Sequence, residues 1–307
     1  MRKIIIFGCL LLCRLTAQAD TYSMFEVSAG GGWSSMTYNL SAPPDATQTS
    51  FSKPGSYNFT VHAGYGFFFN RYVGLGLGVD LSRYGAAAAI KGNMRWNGVT
   101  DSDGEKYNHL LSILRWQDKQ EIYYLEVPLT LYIAFPLAHH LDFSAEIGVK
   151  YAYPFLSKAA YAGEVAHQGE YPEWGMTITD MPNHGFETKQ LEGKGSFVPQ
   201  QNFIAFAKVG VEFPIARRVA FFTHVYAACG LKKALKAEAE EHELGFREDT
   251  EEAAALMPFM PVYTSVINTQ MAKGSFLPVS VGLEAGIRFF LPHVHRAGHP
   301  CRCLPDD

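Results

Sequence analysis

The sequence predicts an all-β protein: an eight-stranded antiparallel up-and-down transmembrane β-barrel with four long extracellular loops. Three observations lead there. Several segments alternate apolar with small or polar residues at period two, which sends successive side chains to opposite faces of a strand. The connections between these segments alternate short and long, as in barrels with turns on one side of a membrane and loops on the other. Beyond the first twenty residues no stretch approaches the ~18 consecutive apolar residues of a spanning helix. A bilayer offers backbone groups no water, so it accepts only helices or closed barrels.

Composition agrees with strands. Of 307 residues, 14% are aromatic, 28 are glycine and only 18% are charged. The net charge of −4 comes without a Lys/Arg stripe, so the electrostatic footprint of a nucleic-acid binder is missing.

Taken in order, residues 1–19 read as a signal peptide. Arg2 and Lys3 precede an apolar run over 4–12, and Ala17 and Ala19 supply the small residues of a cleavage site. Cys9 and Cys13 leave with it, and neither suits lipidation, because little apolar sequence precedes Cys9 and Leu12 is large before Cys13. The barrel then occupies 20–290, followed by a periplasmic tail over 291–307. This organisation implies the cell outer membrane of a Gram-negative-type envelope.

The first strand covers 22 to about 36. The second, 56–69, puts Phe59, Val61, Ala63, Tyr65, Phe67 and Phe69 on one face and Asn58, Thr60, His62, Gly64 and Gly66 on the other. After an Asn70-Arg71 turn, the third sets Val73, Leu75, Leu77, Val79 and Leu81 against Gly74, Gly76, Gly78, Asp80 and Ser82. Segments 121–135, 141–153, 201–213, 219–230 and 277–290 complete the eight. Short turns lie near Asn70, at 136–140 and at 214–218, and long connections span 41–55, 95–118, 159–200 and 232–274. Segments 175–179 and 261–270 are candidates for extra strands. Phe67, Phe69, Phe135 and Phe213 sit where short turns begin, as an interfacial aromatic girdle requires.

Alternation alone does not say which face points inward, but charge does. One face carries many glycines together with Glu26, Asp80, Glu126, Glu146, Lys150, Lys208, Glu212, Glu284 and Arg288. A Lys or Arg facing mid-bilayer costs about 2–4 kcal/mol, and a narrow barrel has room for small residues inside. The charged face is therefore expected inside, with Lys150, Lys208 and Arg288 paired to carboxylates in a structural network. Pro128 withholds a ladder donor in mid-strand, which predicts a local bulge. Arg83 falls on the apolar parity at the outer end of its strand, a rim position from which it can also snorkel toward lipid phosphates.

The segments VHAGYGFFFNRYVGLGLGVDLSRYG (61–85), YYLEVPLTLYIAF (123–135) and PVSVGLEAGIRFF (278–290) resemble the small outer-membrane barrels of the OmpX and PorT-like kind. The resemblance covers most of the mature chain and implies architecture rather than an activity. Where such proteins have roles, these include adhesion, secretion accessory work and surface structure. Two features depart from the pattern: the chain continues past its last strand, and it lacks the peptidoglycan-binding domain of the OmpA type.

No catalytic, cofactor-binding or metal residues are assigned. His293, His295, His299, Cys301 and Cys303 in the tail lack the spacing of structural zinc sites, and a flexible tail with a possible disulfide is the expectation; Cys229 is expected buried in its strand. Glu238, Glu240, Glu241 and Glu243 read as a solvated helical face, with divalent-cation binding as the sharper alternative. His224 and His62 are expected as hydrogen-bonded interior histidines, since no serine on the strand of His224 completes a nucleophile and base pair. The functional expectation is a monomeric, non-enzymatic surface protein in contact with outer-membrane lipid. Its loops, with Tyr171, Trp174 and Phe186, would meet an extracellular ligand or protein. A lipid-modifying barrel enzyme and a small-solute channel are the alternatives.

Overall fold

A computed structural model describes residues 21–41, 46–101, 104–138, 140–235, 265–268 and 272–291. The signal-peptide segment, the acidic run containing Glu238 to Glu243 and the His/Cys tail lie outside the described residues, as do 261–264 and 269–270 of the candidate strand over 261–270, whose described part is a 3₁₀ turn and not a strand. The elements are β1 (Tyr22–Leu40), β2 (Ala46–Ser52), β3 (Ser56–Phe68), β4 (Val73–Thr100), β5 (Lys106–Ala138), β6 (Leu141–Tyr171), β7 (Met176–Ile178), β8 (Thr188–Gly195), β9 (Asn202–Ala216), β10 (Val219–Gly230) and β11 (Ala272–Leu291). Two 3₁₀ turns occur among the described residues, Pro182–His184 between β7 and β8 and Val266–Asn268 before β11.

The sheet closes on itself. Each of β1, β3, β4, β5, β6, β9 and β10 pairs antiparallel with the next, and β11 pairs with both β10 and β1. Within this ring no strand edge is left open, and backbone groups find their partners in the wall itself. The turn after β3 is tied by Asn70, whose Oδ1 accepts from the amides of Tyr72 and Val73 at 2.8 and 2.9 Å.

The strands run beyond their predicted ends. The connections expected as loops over 95–118 and 159–200 are largely paired strand, because β4, β5 and β6 reach 28, 33 and 31 residues. Beyond the ring, β2 adds to β4 and β8 adds to β6, which gives a sheet in the order β2-β4-β5-β6-β8, with β7 on β6 near its far end. The sequence reads this extension as loop because over 117–121 both rows are polar, with Gln117, Lys119 and Glu121 outward and Asp118 and Gln120 buried inward, so the alternation of apolar with polar residues disappears there. Residues 175–179 do include a strand, β7.

Pro128 produces no bulge. The β4–β5 ladder omits Gly78 and Val79 opposite it and resumes in the same register at Asp80 with Glu126. The wall absorbs the missing donor by leaving rungs out rather than by inserting a residue; register shifts on β5 fall elsewhere, at Ile113/Arg115, Tyr123/Tyr124 and Pro136/Ala138.

Ring closure also brings backbones close. A Cβ on Gly210 would lie 1.9 Å from the Thr223 carbonyl oxygen and 2.7 Å from the His224 ring. We expect Gly210→Val to destabilise the barrel by about 1–3 kcal/mol through overpacking, while Gly195→Ala, where nothing lies within 4 Å, stays near neutral. Equilibrium urea unfolding of both variants checks the pair; equal stabilities would contradict the packing.

Candidate functional site: a charged interior and an aromatic tip

The interior of the ring is layered. At the end near the short turns, Met24, Phe68, Tyr132, Ala220 and Phe290 pack as one buried apolar cluster. At the other end a larger cluster includes Tyr38, Tyr84, Ile90, Trp116, Tyr124, Phe206 and Val266. Buried charges sit between the two.

All nine residues assigned to an interior network lie buried in this middle layer. Arg288 on β11 is its hub, with Nε 2.9 Å from Glu26, Nη1 2.6 Å from Glu212 and Nη2 on Glu146. Lys208 joins Glu284 at 2.8 Å and Glu146 at 3.2 Å. Lys150 sits between Asp80 at 2.5 Å and Glu126 at 2.9 Å. That bridge answers a local problem, because Asp80 and Glu126 are direct cross-strand partners and like charges so placed repel.

His62 joins the two halves. One ring nitrogen contacts Asp80, its cross-strand partner, and the other lies 3.0 Å from Glu26. Sequence reasoning placed His62 on the inward row but did not join it to the network; its position directly opposite Asp80 was the missed signal. Hydroxyls fill several of the remaining acceptor positions: Tyr132 donates to Glu26 at 2.5 Å, Ser28 to Glu284 at 2.5 Å and Ser82 to Glu126 Oε2 at 2.9 Å, while Glu126 Oε1 is buried without a hydrogen-bond partner. Breaking a buried ion cluster strands its partners, so satisfaction of this kind is what makes it tolerable.

The layer leaves little open space. A cavity of about 20 Å³ touches Asn58, Ser82, Lys150, Lys208 and Ser280, roughly the size of one water molecule. That volume does not accommodate a solute.

The ring also brings together a group that strand-by-strand reading overlooked. Ser144 on β6 lies 3.1 Å from His224 Nε2 across the interior, while Glu146 is 3.8 Å from His224 Nδ1. Serine and imidazole are in reach, but 3.8 Å is too long for the hydrogen bond that orients a general base. Ser144 moreover accepts a hydrogen bond from Arg288 at 2.8 Å, and both Ser144 and His224 are 1% exposed.

Outside the ring, the far end of the extension has its own core. Tyr107, Tyr171 and Phe186 form a buried cluster, with His109 and His167 beside it, Nε2 to Nδ1 at 3.0 Å. Tyr171 and Phe186, expected as contact residues, are therefore structural; of the three aromatics assigned to partner contact, Trp174 is the exposed one, stacked on Tyr171 at 4.7 Å. Met176 and Met181 are exposed nearby in sequence. Cys229, expected buried, is an exposed free thiol. Asp118 ties the segment before β11 to β5, accepting from Ser265 Oγ at 3.0 Å and the Val266 amide at 2.6 Å. Burial pushes its carboxyl up to about 6.

Burial, aided at His109 by the neighbouring His167 and at His167 by Lys189, pushes the imidazoles down from 6.5 to about 3 and about 4. Folded rings thus stay neutral where unfolded ones take up protons. The stability they confer is complete above pH 6.5 and is lost as pH falls toward 4. Limited proteolysis of the extension is expected to accelerate on acidification, with the double variant His109→Gln, His167→Gln flattening the dependence. A pH-independent rate in the wild type would contradict this.

For the interior, Arg288→Met leaves Glu26, Glu146 and Glu212 without their common cation. We expect a loss of about 3–5 kcal/mol in urea unfolding; a loss below 1 kcal/mol would show the hub to be dispensable.

No protein-family model matches the chain, and no curated protein sequence matches it. Among solved structures it is similar to Ail, the attachment invasion locus protein of Yersinia pestis, with a TM-score of 0.28, 7% identity, and coverage of 88% of this chain and 99% of that one. It is also similar to the translocator domain of the autotransporter NalP from Neisseria meningitidis, with a TM-score of 0.22, 8% identity, and coverage of 94% and 97%. Overlaps this slight leave the closed ladder of strand pairs as the ground for the fold.

Proposed function

We propose that this chain is an outer-membrane protein of the small-barrel kind, eight strands spanning the bilayer as in OmpX and PorT-like proteins, whose role is surface interaction through its extracellular extension. The observation that carries the reading is the inversion of polarity across the wall. Inward positions hold the ion network, while Leu77, Val127, Leu129, Ile147, Val225 and Leu283, all on outward rows, are exposed. Water would make such a belt costly; hydrocarbon makes it favourable.

The belt has the right height. On β5 the outward row is apolar or aromatic from Tyr123 to Phe135 and polar above, at Arg115 to Glu121. That is about 40 Å of strand, or about 30 Å of height at the usual tilt of about 45°, close to the thickness of a bilayer core. The long parts of β4, β5 and β6 then stand outside, and the short turns face the periplasm.

A channel is disfavoured by the packed charge layer and its two apolar closures. An adhesive or binding role draws support from the rigid, strand-built extension with an exposed Trp174 at its tip, since binding residues commonly sit at the ends of stiff scaffolds. The chain acts as a monomer in this reading, with outer-membrane lipid around it.

Two measurements test the proposal. Leu129→Arg is expected to cost about 2–4 kcal/mol in lipid vesicles, whereas Gln117→Arg, in the same row above the belt, is expected to be near neutral; equal costs would remove the membrane boundary. Vesicles carrying the barrel are expected to adhere to a subset of immobilised extracellular proteins or glycans, and Trp174→Ala with Met176→Ser and Met181→Ser to lower that adhesion at least severalfold. Unchanged adhesion would take the tip out of the binding surface.

A further inference from the structure

The wall departs from regular pairing between β1 and β11. Met36 pairs with Pro278 and Tyr38 with Gly274, so Thr37 alone faces residues 275–277. Pro278 has no amide hydrogen to give the ladder. Phe276 sits at φ 47°, a positive value that among the described non-glycine residues belongs to it alone. Strain of this sort persists where the surroundings hold it, and it gathers at binding sites. Here the Leu277 amide donates to Thr37 Oγ1 at 3.1 Å, the Ala234 amide donates to the Phe276 carbonyl at 3.2 Å, and the Phe276 ring stacks on Tyr38 at 5.2 Å.

Beside this bulge lies an open groove of about 530 Å³, lined by Trp33, Ser35, Thr37, Asn39, Lys53 and Val279 together with Met36. Its composition is that of an amphiphile site. Trp33 forms the apolar side, fixed by its Nε1 donating to the Pro54 carbonyl at 3.1 Å. Gly55 is needed beneath it: the residue holds φ +75°, and a Cβ there would fall 2.1 Å from Trp33 Nε1. Lys53 forms the polar side. Its ammonium donates to the Tyr38 carbonyl and lies 5.4 Å from that ring, and among the described residues it has no carboxylate partner.

The level of the groove decides what can reach it. Trp33 pairs with Tyr57, and the guanidinium of Arg83 lies 3.7 Å from the Tyr57 ring centroid while pairing with Glu121 at 2.6 Å. Arg83, expected at the rim, is thus on the outer wall but buried beneath its neighbours. Trp33 and Tyr57 mark the outer interface of the apolar belt, where indole and phenol rings settle. Val281 and Leu283 lie exposed below Val279 on the same strand.

We propose that this groove binds the net-anionic phosphate headgroup of an outer-leaflet lipid. Lys53 pairs with the phosphate, Thr37 and Asn39 offer hydrogen bonds to it, Trp33 covers the headgroup's linkage to its chains, and the chains descend over Val281 and Leu283. The inference rests on the membrane reading given above.

The full-length mature barrel, inserted in neutral detergent micelles, would be titrated with short-chain phosphatidic acid. The comparators are phosphatidylcholine of the same chain length and glycerol 3-phosphate. We expect saturable binding of phosphatidic acid, at least tenfold weaker binding of the comparators, and a loss of about tenfold in Lys53→Ala but not in Lys119→Ala. Equal affinity in Lys53→Ala, equal loss in both lysine variants, or no saturable binding by an inserted barrel would overturn the site alone. Equal binding of glycerol 3-phosphate would overturn the lipid assignment in favour of a soluble phosphate. Heat-dependent gel mobility reports insertion separately: a chain that stays soluble without detergent and never enters micelles would overturn the membrane reading and this site together.

Discussion

Closure of the strand ring, β11 onto β1, is the constraint on which the rest of the molecule depends. A closed antiparallel wall satisfies its own backbone, but a narrow one leaves an interior that side chains must fill. Inward positions therefore divide between glycines, where backbones or rings approach closely, and long charged chains that cross to partners on other strands. Arg288 reaches Glu146 and Glu212 on β6 and β9 as well as Glu26 on β1. The ion layer is thus a consequence of the ring and a cross-tie within it. Apolar clusters above and below keep water from the layer, which strengthens its electrostatics and makes incomplete pairing costly.

Much of this was legible in the amino-acid order. Period-two alternation gave each strand its two faces, and the nine charges assigned inward are buried there. What it could not give was contact across the interior. His62 between Glu26 and Asp80, and Ser144 beside His224, join strands whose rotation around the barrel is set by register and tilt. The extension escaped for a different reason. Outside the apolar belt its outward row turns charged, so strand continues where hydropathy suggests loop. Tyr171 and Phe186 followed the same error, read as loop aromatics when they are the core of a paired tip.

Pro128 shows a third kind of limit. A missing donor predicts a disturbance but not its form, and the ladder here skips rungs while keeping register. A bulge falls instead at Thr37, opposite Phe276, next to Pro278, a second strand proline that withholds its ladder donor. Regular features of the wall follow from composition and period. Its departures depend on how neighbouring strands accommodate one another, and the proposed lipid groove lies at one of them.

The central claim is that the apolar rows meet hydrocarbon while the charged rows are sealed inside. Spin labels placed one at a time along β6 from Ala145 to Tyr153, in vesicles, test it most directly through collision with oxygen and with a water-soluble nickel complex. The account predicts oxygen maxima at Ala145, Ile147, Val149, Tyr151 and Tyr153, with low nickel accessibility throughout. High nickel accessibility on those same positions, or no alternation at all, would contradict it.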